Sequence, residues 1–350
     1  MTISRLHNAN GSVENGLERS RAIGTRATTI AVTGIRTAVG RGLMAALDAD
    51  PSVEAILCFD IVGPQTPCQK AKVVAVDLTR GDCVEVMARH LEEHRVRALV
   101  HLAFRDSPTL SPGASHELES LGTMRVVQAC LEGGVRKVVS WSRSWLYGAR
   151  ADAPALLDES QPLRARRTDR FFADKMDAER DVLSFGAPGR ARIATLLRTA
   201  PLIDPHSPGM IFHLLRDTRI PSIAGFNPMW QCVHVEDAVS AFVQALRLDV
   251  PGAINVVSPG VLPLGEARRL AGHRGLKLPR SLATALVGGL WLSGSCHVPP
   301  SLLDYLQFPC VADGGRAERL LQLTCKHSTS STLTEAAQCH GAPASSPAHP

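Results

Sequence analysis

The sequence predicts an α/β fold, a doubly wound parallel sheet with a smaller C-terminal lobe. Three observations predict it. First, short continuous apolar runs alternate with amphipathic stretches across residues 28–200, as strands buried on both faces do. Second, the run Thr29-Ile30-Ala31-Val32-Thr33 breaks at Gly34 and resumes as a helix containing Gly40, giving strand, tight turn and helix. Third, a second apolar run from Val53 to Phe59 ends in Asp60, about twenty residues beyond the turn. A chain of 350 residues with 45% hydrophobic and 20% charged content can bury the core such a fold needs.

The elements follow in order. Pro64 and Pro67 mark a loop after Asp60, and Lys72–Val76 is a strand closed by Asp77-Leu78. A helix is predicted over about 82–94, and Arg97–Ala103 is a buried strand. A long helix over about 115–132 stops at Gly133-Gly134, and a strand covers Lys137–Ser142. A helix over about 168–185 precedes a strand over 191–197. Beyond Pro201 the prolines multiply and the elements shorten. Residues 201–325 are read as a lobe lying over the carboxyl ends of the strands, where open α/β sheets bind ligands. Residues 1–27 are polar, and residues 326–350 are rich in Ser, Thr, Ala and Pro; both are read as disordered tails.

Several function classes are disfavoured. The net charge is +5, with scattered arginines and no aromatic interleaving, so nucleic acid is not the expected partner. The nine cysteines contain no C-x-x-C pair and suit reduced thiols in a cytoplasm. No apolar leader opens the chain. The most apolar run, Leu282 to Leu292, is too short to span a bilayer and carries Gly288-Gly289; a buried or interface helix is expected.

The turn carries the functional signal. Backbone N–H groups of Gly34, Arg36, Thr37, Ala38 and Gly40, with the positive end of the helix dipole, suit a pyrophosphate. The carboxylate of Asp60 can accept from the ribose hydroxyls and repels a 2′-phosphate, which points to NAD(H) in preference to NADP(H). One departure stands out: the middle glycine of the pattern is Thr37, whose branched side chain crowds the phosphate approach.

The ordered segments resemble the extended short-chain dehydrogenases, the NAD-dependent epimerase/dehydratases, over roughly residues 28–335. Thr33-Gly34 to Gly40 is similar to the family's cofactor turn, Asp77-Leu78 to its adenine-contacting pair, and His101-Leu102-Ala103 to the strand end along the cofactor. Leu121-Gly122-Thr123, Ser142 to Tyr147-Gly148, Leu157-Asp158-Glu159, Val233 to Asp237 and Gly252 to Val256 resemble later signatures.

The resemblance implies a Tyr-x-x-x-Lys pair on the 168–185 helix. There the lysine lowers the phenol's pKa and holds the nicotinamide ribose, and a serine and an asparagine assist. Here Lys175 is retained, but Phe171 stands at the tyrosine position, Arg143 at the serine position and Glu119 at the asparagine position. Ser142 and Ser144 flank Arg143 and are the nearest substitutes for the serine. Glu119 or Tyr147 could stand in as an acid. The leading expectation is an NAD(H)-binding protein without tyrosine-based proton transfer, acting as a sensor or scaffold or running altered chemistry. The alternatives are an active oxidoreductase, epimerase or dehydratase, acting on a nucleotide sugar or a 3β-hydroxysteroid-like alcohol through a substitute acid, and an interaction subunit without ligand. No particular small-molecule substrate is singled out. The two long helices, as in the family, are where a homodimer would pair.

Other side chains have bland readings. Lys175 could pair with Glu179, and Arg198 could face a ligand or a carboxylate. Arg164, Arg166, Arg167 and Arg170 read as a solvated face or a phosphate site. Glu236 or Asp237 is expected to cap the helix after His234. Cys58 and Cys130 read as core.

Overall fold

The computed structural model describes residues 28–341 except 110–111, 188–190, 208 and 273–274. The expectation for residues 1–27, and that for 326–350 where it concerns 342–350, therefore lie outside the described residues. Seven strands form the central sheet: β1 (Thr28–Thr33), β2 (Val53–Asp60), β3 (Ala71–Ala75), β4 (Ala98–His101), β5 (Lys137–Arg143), β6 (Ile193–Thr199) and β7 (Gly252–Val256). Their order is β7-β6-β5-β4-β1-β2-β3, and every pairing is parallel. The chain winds outward from β1 to β3 and then returns to β4 on the other side of β1. The strand order thus reverses between β1 and β4, where a crevice opens at their carboxyl ends.

Helices cover both faces. They include α1 (Ala38–Ala49), α2 (Cys83–Glu93), α3 (Pro112–His116), α4 (Gly122–Glu132), α5 (Arg170–Phe185), α6 (Met210–Arg216), α7 (Val235–Arg247), α8 (Leu264–Leu270), α9 (Arg280–Leu292), α10 (Gly315–Leu321) and α11 (Thr329–Cys339). The apolar strands are sealed on one side by Val39, Leu43, Phe242 and Ala245, and on the other by Met87, Leu91, Val126 and Phe185. A separate core of Phe172, Phe212, Ile220, Leu303 and Tyr305 belongs to the smaller lobe. Cys58 and Cys130 are core residues.

Three expectations are corrected. The long helix is not uniform, because residues Glu117–Leu121 between α3 and α4 form a π-helical turn. The segment after 326 is ordered through α11, which Ser328 caps and which buries Leu333, Ala336 and Ala337. Its Ser/Thr content serves the cap and the outer face, and Thr329 and Thr332 are buried with their hydroxyls bonded to the carbonyls of Gly260 and Ser328, so composition misled. Of the buried or interface helix expected at α9, burial is overturned: only Ala283 and Val287 are fully covered, while Leu282 and Leu292 are 57% and 79% exposed, which leaves the interface alternative in place. No helix among the described residues is long and apolar enough to cross a membrane.

Candidate functional site

The glycine turn explains its own composition. Gly34 sits at φ +70°, and a Cβ there would lie 2.4 Å from the Leu102 carbonyl carbon, so β1 and β4 can approach only through glycine. A Cβ on Gly40 would meet the Gly34 oxygen at 2.3 Å. The middle position needs no such freedom. Thr37 has φ −65° and ψ 162°, an extended conformation, and acts as the N-cap of α1. Its hydroxyl accepts from the Gly40 amide at 3.0 Å and donates to the Gly34 carbonyl at 2.9 Å. The side chain is tied back into the turn. The amides of Ala38 and Val39 lie in the first turn of α1, where helix geometry supplies no acceptor.

Asp60 ends β2 beside this turn. Its carboxylate accepts from the Ile35 amide at 3.2 Å and from the Ile61 amide at 2.8 Å. Asp77 lines a cleft of about 280 Å³ with Ile61, Val76 and Val86. The hydroxyl and amide of Thr79 hold its carboxyl below the usual carboxylate range. Leu78 is buried beneath, and its carbonyl accepts from Arg125. Leu102 is buried and donates its amide to the Thr33 carbonyl, while Ala103 is half-buried. Arg36 is exposed on the turn. The glycine turn, Asp60 and the Leu102-Ala103 strand end are thus in direct contact, and Asp77 lines the neighbouring cleft beyond Ile61.

A second cluster forms around Phe171 and Lys175. Phe171 and Lys175 lie one turn apart on α5, so they share a face. The Lys175 ammonium lies 3.9 Å from the Phe171 ring centroid. It donates to Glu119 Oε2 at 2.7 Å, not to Glu179. Glu119 comes from the π-helical turn, a distortion that often marks functional positions. Its other oxygen accepts from the Arg105 amide at 2.6 Å. Burial pushes the Lys175 ammonium down, and the Glu119 carboxylate opposes that push. Arg143 stacks over Trp141 at 4.6 Å and lies 5.9 Å from the Phe171 centroid. It donates to Asp106 at 2.8 Å.

The substitutes named from sequence are placed elsewhere. Ser142 donates to Glu179, which also takes a two-pronged bond from Arg198. Arg198 thus pairs with a carboxylate and further donates to the Tyr147 hydroxyl at 3.0 Å. Tyr147 donates to Asn255 at 2.8 Å, so its hydroxyl is committed to this buried network. The Ser144 hydroxyl is buried without a partner among the described residues. His234, not Glu236 or Asp237, caps α7, accepting from the Glu236 amide at 3.1 Å. Asp237 instead holds the amides of Lys326 and His327.

Sequence reading missed the loop after β4. The Arg105 amide binds Glu119 and the Asp106 carboxylate binds Arg143, and Arg105 lines the cavity beside Phe171; their position just past His101-Leu102-Ala103 was the available signal. Beside Phe171 and Glu119 opens a cavity of about 500 Å³, closed in part by Thr284 and Trp291 of α9 and by Pro299, Pro300 and Ser301.

Fold and crevice define a nucleotide-cofactor type of α/β protein. Residues 30–257 match the NAD dependent epimerase/dehydratase family, and the chain belongs to that family. An uncharacterised protein of Mycobacterium tuberculosis is similar, at 27% identity over 71% of this chain and 67% of its own. So is a 3-diazoavenalumate denitrifying reductase of Streptomyces, at 27% identity over 74% of this chain and 87% of its own. Among solved structures, UDP-glucose 4-epimerase of Thermotoga maritima with UDP-glucose superposes with a TM-score of 0.68. It is 16% identical and covers 89% of this chain and 98% of its own. The dTDP-glucose 4,6-dehydratase DesIV of Streptomyces venezuelae, with NAD bound, gives 0.63 at 18% identity, covering 89% of this chain and 97% of its own. These likenesses show the shared fold.

Proposed function

We propose that this chain binds NAD(H) at the β1–β4 crevice and acts without the tyrosine-based proton transfer of its family. The donor set suits the cofactor: first-turn amides of α1 for the pyrophosphate, Asp60 for the ribose hydroxyls, and Asp77 at the cleft expected for adenine. Thr37, its hydroxyl bonded within the turn, is compatible with that fit. Bound there, the cofactor would supply or accept a hydride. The observation that carries the rest is Phe171 lying over the Lys175 ammonium at 3.9 Å while Glu119 neutralises that ammonium at 2.7 Å. A phenyl ring has no proton to give, and an ammonium held by a carboxylate is a weak activator of any neighbour. Arg143 cannot replace the serine hydroxyl as a neutral donor–acceptor, because its guanidinium only donates.

The chemistry that suits this site creates no alkoxide. When hydride displaces a leaving group on carbon, the reduced carbon needs no proton. The name of the Streptomyces relative describes a reduction that removes nitrogen from a diazo compound, a reaction of that kind. An alcohol oxidation through a substitute acid is the weaker reading, because Glu119 and Tyr147 are both committed to buried bonds.

Calorimetric titration with NADH and NADPH tests the cofactor half. Tight NADH and weak NADPH binding is expected; binding of neither refutes it. Stopped-flow hydride transfer tests the other half. The triple variant Phe171→Tyr, Arg143→Ser and Glu119→Asn should gain alcohol dehydrogenase activity that the native protein lacks. Robust alcohol oxidation by the native protein would overturn the proposal.

A further inference from the structure

We infer that the cavity beside Phe171 takes an aromatic or polycyclic carboxylate, its ring on Phe171 and its anion held by the arginines that line the same cavity, and not a sugar joined to a diphosphate. The inference rests on the phenol-free reading above only for which end reacts.

The lining is cationic on balance: Arg105, Arg166, Arg170 and Arg280 stand against the carboxylates of Glu119 and Asp169. Arg166 and Arg280 both reach Asp304, at 2.7 Å each, so one carboxylate serves two guanidinium groups. Asp169 accepts from the Phe171 amide with one oxygen and from Ser301 with the other. Glu119 is taken by Lys175 and the Arg105 amide. Arg170 lies 3.9 Å from Asp174, whose same oxygen already binds His116 at 2.8 Å. The Arg105 guanidinium is exposed and has no partner among the described residues. Arg105, Arg170 and one of the Asp304 pair are therefore available to an anion.

The opposite requirement is met by the walls. Helix α9 supplies Arg280 and, three turns on, Trp291, about 16 Å further along the axis. Its wall thus runs from a charged end to an aromatic one. Phe171, Pro108, Pro299 and Pro300 add apolar surface. Near Phe171 the polar groups bond one another: Lys175 with Glu119, and Arg143 with Asp106. A hydroxyl-rich ring placed over Phe171 itself would lose its hydration against the ring face and the closed ion pairs, and would reach chiefly the hydroxyls of Ser107, Ser115 and Thr168 in the same cavity. A flat apolar ring loses nothing comparable and can stack on Phe171.

The test is calorimetric titration of cofactor-free protein with 2-naphthoate, 2-naphthamide and UDP-glucose. Acid and amide share shape and differ in charge. The acid should bind about tenfold or more tightly than the amide, as a charge-assisted contact predicts. Arg105→Gln and Arg170→Gln should each weaken the acid about fivefold or more and leave the amide unchanged; both side chains are exposed, so folding is preserved. Equal affinity for acid and amide, tighter binding of UDP-glucose, or binding of none of the three by folded protein would overturn the inference. Because no cofactor is present, binding of naphthoate without binding of NADH would refute the cofactor reading while supporting this one.

Discussion

Phe171 lays a phenyl ring, one oxygen short of a tyrosine, over the Lys175 ammonium, and the charges around that ammonium close on one another. A buried ammonium needs a countercharge, which a neutral ring does not provide. Glu119 supplies it. Glu119→Gln should therefore destabilise the protein by about 3–5 kcal/mol, read as a lower urea midpoint, because the Lys175 charge is left uncompensated. The double change Glu119→Leu with Lys175→Met should recover much of that loss; failure to recover would show that the pair is needed for packing as well as charge. His101 gives a pH prediction. It lies buried between the hydroxyls of Thr33 and Thr123, at 2.7 and 2.9 Å. Burial pushes its pKa down from 6.5 to about 3. The unfolded chain takes up a proton below pH 6.5 while the native one does not. The stability is thus fully present above that pH and is lost progressively as pH falls toward 3. His101→Gln should flatten the dependence of the urea midpoint between pH 6.5 and 4.

Elements explain what single residues do not. The π-helical turn between α3 and α4 adds a residue to an otherwise regular helix and turns Glu119 toward Lys175. In the smaller lobe, Arg268 of α8 is fully buried and donates to the carbonyls of Leu214, Leu215 and Ile220 and to Ser222. It satisfies the last carbonyls of α6 with a cation at the negative end of that helix. Burial pushes its pKa down to about 10. Arg268→Met should cost about 2–4 kcal/mol in urea unfolding by orphaning those carbonyls. Pairing of two copies through α4 and α5 remains a proposal. Met124 and Leu183, 46% and 36% exposed, are the apolar groups those helices offer. If they form a dimer interface, Met124→Asp with Leu183→Asp should halve the mass seen by light scattering; an unchanged mass would place any interface elsewhere.

For the whole molecule, two lobes close around one cavity, and the C-terminal segment locks the smaller one. Helix α11 packs Leu333, Ala336 and Ala337 into that core, and Arg216 donates to the carbonyl of His340. Leu333→Ala should lower stability by about 2–5 kcal/mol, measured by urea midpoint. Exposed Leu282, Leu286 and Leu292 leave α9 as the least covered apolar helix, while its opposite face lines the cavity.

The sequence by itself determined the sheet, the glycine turn, the acid at the end of β2 and the substitutions at positions 119, 143 and 171. Each is a local signal: periodicity marks a strand, a positive φ demands Gly34, and a residue type is present or absent. Tertiary structure alone decided which charges meet. Lys175 has Glu179 one turn away in sequence, yet it pairs with Glu119, which lies 56 residues earlier and is aimed by a π-turn without any composition cue. The same holds for Ser142, drawn off by Glu179, for the ordered α11, and for an arginine rim assembled from three separate segments. Long-range partners depend on how elements pack, and packing is a property of the folded molecule, not of any window of its sequence.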